Sequence, residues 1–178
     1  MVMLMTIDGS YPGERASPDK LNRLADFYRD AAHRAAGSIQ NGDPLSAAPL
    51  RLLAIQSIEL NLSAFLLLHG ASALDIRKMG HNLAARQERA ANIGLKLRHR
   101  TAAHVSAIAQ DREYLIARYE PDCLSNVSQL NRMLATMEEV ATKVSQAIIA
   151  ARPRLEASRR RRLGASNRPQ TVVALSPN

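Results

Sequence analysis

A chain of 178 residues is long enough for one domain with tails and for a real hydrophobic core. It has no Trp, two Phe and one Cys, so aliphatic side chains must do the packing. An internal disulfide is excluded, and a cytoplasmic protein is the simplest reading. The formal charge of +8 is uneven: from Arg152 onward seven Arg against one Glu give +6, which leaves +2 for residues 1–151. The basic character therefore belongs to a tail.

The first residues, MVMLMTIDGSYPGERAS, carry an apolar run too short for a secretory signal, without a basic cluster before it. Residues 1–16 read as a flexible arm. Ser17-Pro18 reads as a helix cap followed by a first-turn proline, with Asp19 at the positive end of the dipole. Leu21, Leu24, Ala25, Tyr28, Ala31, Ala32 and Ala35 then form a stripe over a helix from Pro18 to Gln40. Its small residues allow a neighbour to come close. Asn41-Gly42-Asp43-Pro44 ends it.

A second helix, Leu50 to Gly70, is the most apolar stretch of the chain. Leu52, Ile55, Glu59, Leu62 and Leu66 share one side, and Ile58, Phe65 and Leu68 widen the stripe. About 20 residues could also span a bilayer. Arg51, Gln56, Glu59, Asn61 and Ser63 interrupt the run, however, and a midplane carboxylate is expensive in lipid. The expectation is a helix buried in a bundle, with no transmembrane segment.

Asp75 to Met79 reads as a short helical turn. His81 or Asn82 begins a third helix, whose apolar positions are Leu83, Ala84, Ala90, Ala91, Ile93 and Leu97. Beyond Arg98-His99-Arg100-Thr101, a fourth is predicted from Ala102 to Tyr119 and is broken by Glu120-Pro121-Asp122. The last long helix runs from Leu124 to Ala151 and stops at Pro153. No alternating strand pattern competes. The product is an all-α, up-and-down bundle over residues 17–152, with four long helices and one or two short ones. The tail, 153–178, reads as disordered, or as helical only to Leu163. Its Arg159, Arg160, Arg161 and Arg162 suit phosphate backbones or anionic lipid, or are simply a solvated basic terminus.

Glu59 lies on the central stripe, and a buried carboxylate needs a partner or a proton. Arg118 is the first candidate partner, because it lies among Leu115, Ile116 and Tyr119; His81 is the second. Such a pair is either a packing lock or the floor of a polar pocket for an anion or nucleotide, with Tyr114 and Tyr119 as walls. His33, His69 and His99 form no metal-ligand spacing with acids or with Cys123, so no metal site and no cofactor are expected.

The order AIQSIELNLSAFLLLHG, then GHNL, then REYLIARYEPD resembles the HEPN family. Glu59 and Ala64 match that family's glutamate helix, His81 and Leu83 its His-Asp-Leu element, and Tyr114, Arg118 and Tyr119 its tyrosine and Arg-Tyr-Pro element. Ser63 stands where the family often has lysine, Asn82 where it has aspartate, and Glu120 intervenes before Pro121. The resemblance covers Leu50 to Asp122. It implies a helical, usually dimeric domain that binds a nucleotide, RNA or a partner protein, such as a nucleotidyltransferase or a toxin–antitoxin component. Some members are metal-independent ribonucleases with an Arg-x(4–6)-His motif. Arg98 and His104 have that spacing, with His104 as general acid or base and Arg98 as phosphate holder. Non-catalytic binding is the main expectation, and an endoribonuclease using Arg98 and His104 is the alternative.

Overall fold

The computed structural model describes residues 13–166; the side chains of 154–156 and 158–166 are outside that description. Most of the predicted N-terminal arm, residues 1–12, and the end of the tail, 167–178, also lie outside the described residues. Within them the elements are α1 (Pro18–Ala36), a 3-10 helix (Pro44–Ala47), α2 (Ala48–Leu68), α3 (Ala73–Lys78) and α4 (Leu83–Asn92). There follow α5 (His99–Gln110), α6 (Glu113–Tyr119), a second 3-10 helix (Pro121–Asn126) and α7 (Leu130–Ser166). No strand occurs among the described residues, and the fold is an all-helical bundle.

The helix starts follow from their capping residues. Ser17 Oγ accepts from the Lys20 amide, and Pro18 occupies the first turn, where its missing N–H is harmless. Ser72 and Asp75 form a reciprocal capping box on α3. Asn82 caps α4 by accepting from the Ala85 amide at 3.0 Å. Gly80, at φ +52, makes the turn that leads into that cap.

Helix α2 is the centre. Leu50, Ala54, Ile58, Leu62, Ala64 and Leu66 are fully buried on it and join Val105, Ile108, Met133, Met137, Val140 and Val144 in one core. Ala25 and Ala32 bring α1 against it, close enough for Ser57 Oγ to donate to the Ala25 carbonyl at 2.9 Å. A polar rung crosses the same region. Asn22 Nδ2 donates to Asn61 Oδ1 at 2.9 Å and to Ser145 Oγ at 3.1 Å, which ties α1, α2 and α7 together. The stretch Pro44–Leu68 is long and apolar enough to cross a membrane by length and composition alone. Most of it is buried against the chain's own helices, the pattern of a core helix.

Several boundaries differ from the sequence reading. Helix α1 stops at Ala36 on a Gly37 cap, short of Gln40. The third predicted helix ends at Asn92, because Gly94 turns the chain at φ +107. The helix predicted from Ala102 to Tyr119 is two helices. It breaks at Arg112, whose φ of +53 is left-handed and which starts α6 with Glu113 turned inward. The last helix begins at Leu130 rather than Leu124, because Pro121–Asn126 closes into a 3-10 turn. It also runs through Pro153 to Ser166 instead of stopping there. A proline forfeits one helical hydrogen bond, and the Ala, Arg, Leu and Glu around it are strong helix formers. The chain divides into two units, Met1–Ile148 and Ile149–Asn178, and every described member of the core belongs to the first.

Candidate functional site

A cleft of about 980 Å³ opens beside α2, with α3, the start of α4 and residues of the turn before α1 on its rim. Its wall is mostly aliphatic, from Leu21, Leu60, Leu67, Leu74 and Ile76, and its polar groups are concentrated around Glu59. Glu59 and Ser63 are one turn apart on α2, so both face the same neighbour. That neighbour is the segment from His81 to Arg86, which Gly80 and the Asn82 cap turn back toward α2.

Each oxygen of the Glu59 carboxylate takes its own partner. His81 Nδ1–H donates to Oε2 at 3.0 Å, and Arg86 Nη2 lies 3.3 Å from Oε1. The Glu59 side chain is 13% exposed and that of Arg86 only 3%. Arg86 also donates through Nε to Ser63 Oγ at 3.1 Å, while its Nη1 is buried without a hydrogen-bond partner. Burial lowers the Arg86 pKa from its ordinary value, and the Glu59 charge acts against that. His81 is exposed, and its ring tilts against the Tyr114 ring at a centroid distance of 5.5 Å. The arrangement offers one buried donor set, one exposed imidazole and an apolar wall, which suits a small ligand with a polar head and an apolar body.

The structure thus brings Glu59, His81 and Tyr114 together. Arg118 is the correction: it is exposed on α6 and makes no ion pair with Glu59. Arg86, one turn into α4, reaches the carboxylate instead. Tyr119 is 72% exposed and does not wall the cleft. Arg86 was legible in principle. It stands between Leu83 and Ala90 on the buried face of α4 and interrupts that face as Glu59 interrupts α2.

A second ionic cluster is sealed inside the bundle. Glu113, 1% exposed, accepts from Arg51 Nη1 at 3.1 Å, from Ser128 Oγ at 3.1 Å and from the Ser128 amide at 3.2 Å. Burial lowers the pKa of Arg51, and Glu113 opposes the shift. Sequence reasoning treated Arg51 only as an interruption of an apolar run and passed over Glu113, because nothing in a helical pattern marks the break at Arg112.

His104 points into the same interior. Its Nδ1 is 2.8 Å from Thr136 Oγ1, and its Nε2 is buried without a partner. Burial lowers the His104 pKa; Glu113 pulls it back up, and Arg132 and Arg51 push it down. Arg98 faces the other way, with a side chain 85% exposed and its Nε 3.8 Å from Glu139 Oε2. Six residues on a helix amount to a turn of about 240° between the two side chains. They are not brought together within this chain. Among the described residues no group of three or more His, Cys, Asp or Glu side chains is placed to hold a metal. The side chains of Arg159 to Arg162 lie outside the description.

Comparison with protein-family models, characterised proteins and solved structures finds no match to this chain.

Proposed function

We propose that the chain is a HEPN-like, non-catalytic binding domain whose ligand seat is the cleft floored by Glu59, His81 and Arg86. The observation that carries this reading is the cluster's position: a largely buried carboxylate held by an arginine and a histidine borders a cleft large enough for a drug-sized ligand. The Arg51–Glu113 pair, by contrast, is closed off, with side chains only 6% and 0% exposed. Beside RNA and a partner protein, a nucleotide is one of the ligands that the sequence resemblance implies. Its phosphate would approach the exposed His81 imidazole, with Leu60, Leu67 and Ile76 against its apolar part. The domain works as a homodimer, supported by Leu24 and Phe27, which stand exposed one turn apart on α1.

The test is calorimetric titration of the full chain with nucleoside mono-, di- and triphosphates, with His81→Ala beside the wild type. His81 is at the surface, so its loss should leave the fold intact. Binding by the wild type that weakens about tenfold in His81→Ala is expected, the loss of one charge-assisted contact. No binding of any nucleotide at millimolar concentration ends the nucleotide reading, and equal affinity of the two proteins moves the site elsewhere. Light scattering should return about twice the 19.5 kDa chain mass.

A further inference from the structure

One donor at the cleft is left without an acceptor. Arg86 bonds Ser63 through Nε and Glu59 through Nη2, but its Nη1 is buried and has no hydrogen-bond partner among the described residues. Of the buried side-chain atoms unpaired there, it alone belongs to a residue that lines the cleft. A buried N–H without an acceptor is costly, so an occupant that offers an oxygen to it gains more than an ordinary hydrogen bond.

Most of the remaining lining is aliphatic. Leu21, Leu60, Leu67 and Ile76 are only half-buried, and Leu74 is 50% exposed. No Phe, Tyr or Trp is among the lining residues, so the wall suits an alkyl chain better than a planar base. The fixed charges balance, Glu14 and Glu59 against Arg77 and Arg86, and no net field selects a highly charged ligand. Leu60 and Leu67 lie two turns apart on one face of α2. Leu67 is about 12 Å beyond Glu59 along the helix axis, a span that an extended chain of about ten carbons covers.

Taking the cleft as the ligand seat proposed for it, we infer that its occupant is a medium-chain fatty acyl compound, whose carbonyl oxygen accepts from Arg86 Nη1 and whose alkyl chain lies along Leu60, Leu67, Leu74 and Ile76. A free fatty acid and a fatty amide share this chemistry. The balanced charges of the lining favour the uncharged amide.

The experiment is calorimetric titration of the full chain with hexanamide, octanamide and decanamide, then with decanoate and decylammonium, all below their micelle or solubility limits. Affinity should rise about fourfold per added CH2 along the amide series, the increment of a buried methylene. Decanoate should bind more weakly than decanamide. Decylammonium carries the same length of chain without an acceptor oxygen and should bind at least tenfold more weakly than decanamide, a comparison that needs no variant. Leu74→Ser, at the exposed rim, should weaken decanamide more than hexanamide. Arg86→Lys keeps a cation for Glu59 but has no Nη1, and should lose decanamide binding. No binding of decanamide or decanoate overturns the inference, as does equal affinity for decylammonium or a chain-length series unchanged by Leu74→Ser. Nucleotide binding in the same preparation would then leave the cleft standing as a seat for another ligand, whereas failure of nucleotides and acyl probes alike removes the seat as well.

Discussion

At the scale of single residues, the two ionic clusters around α2 face different dielectric worlds. Arg51 and Glu113 are both under a tenth exposed, so neither charge has water to replace a lost partner. Removing one member of such a pair costs about 3–5 kcal/mol, because the other is left buried and unpaired. Glu113→Ala should therefore lower unfolding stability by that amount in urea titration, and adding Arg51→Met should restore much of it. A loss below about 1 kcal/mol would show that Arg51 is neutralised by other means. His104 gives a pH signature. Its folded pKa lies below the ordinary 6.5, so the unfolded chain takes up the proton first. The stability that neutral His104 supports is full above pH 6.5 and drains away as pH falls through that value. Desolvation raises the Glu139 pKa, but its bonds to Thr101 and the Arg98 amide together with the Arg98 and Lys143 charges outweigh it and leave it lowered, so its contribution is lost only below the ordinary 4.5. Stability measured from pH 8 down to about 2 should fall in two stages, and His104→Gln should flatten the upper one alone.

At the scale of elements, the break between α5 and α6 is what puts Glu113 inside. Arg112 adopts φ +53, a conformation that costs a non-glycine residue about 1 kcal/mol. Glycine there removes the strain but gains chain entropy on unfolding. Arg112→Gly should thus be neutral or slightly stabilising, whereas Asp111→Gly, next door in a right-handed conformation, should cost up to about 1 kcal/mol. Thermal melts of the two variants decide it, and equal losses would argue against strain at Arg112. This break also marks the limit of what the sequence reveals. The long helices α1 and α2 and the starts of α1 at Ser17 and α4 at Asn82 follow from periodicity and cap chemistry, and His81 stands only second to Arg118 as the expected partner of Glu59. Arg86 is legible as a polar break in the buried face of α4 but not as the partner of Glu59, and Glu113 is not legible as the partner of Arg51, because the partner of a buried charge is chosen by how helices rotate against one another. Apolar spacing fixes that rotation only within a few tens of degrees. Pro153 misled for a related reason: proline's penalty is finite, and strong helix formers on both sides carry the helix across it.

At the scale of the whole molecule, the described core is complete by Ile148. A chain ending at Ala151 should keep its melting temperature within about 4 °C, the shift expected from a change of 1 kcal/mol in a domain of this size. Its formal charge would drop from +8 to +2. A larger loss would mean that later residues contribute to the packing of the first unit. The rung of Asn22, Asn61 and Ser145 has a further implication, for a chain still being made on the ribosome. Asn22 meets its second partner 123 residues later. At about 5–20 residues per second, roughly 6–25 seconds pass between synthesis of the two. For the part of that interval after α2 has been made, the nascent α1–α2 hairpin carries a half-satisfied amide and an uncovered aliphatic flank. That is the window in which a chaperone would have most to hold, and it closes only when Ser145 clears the exit tunnel.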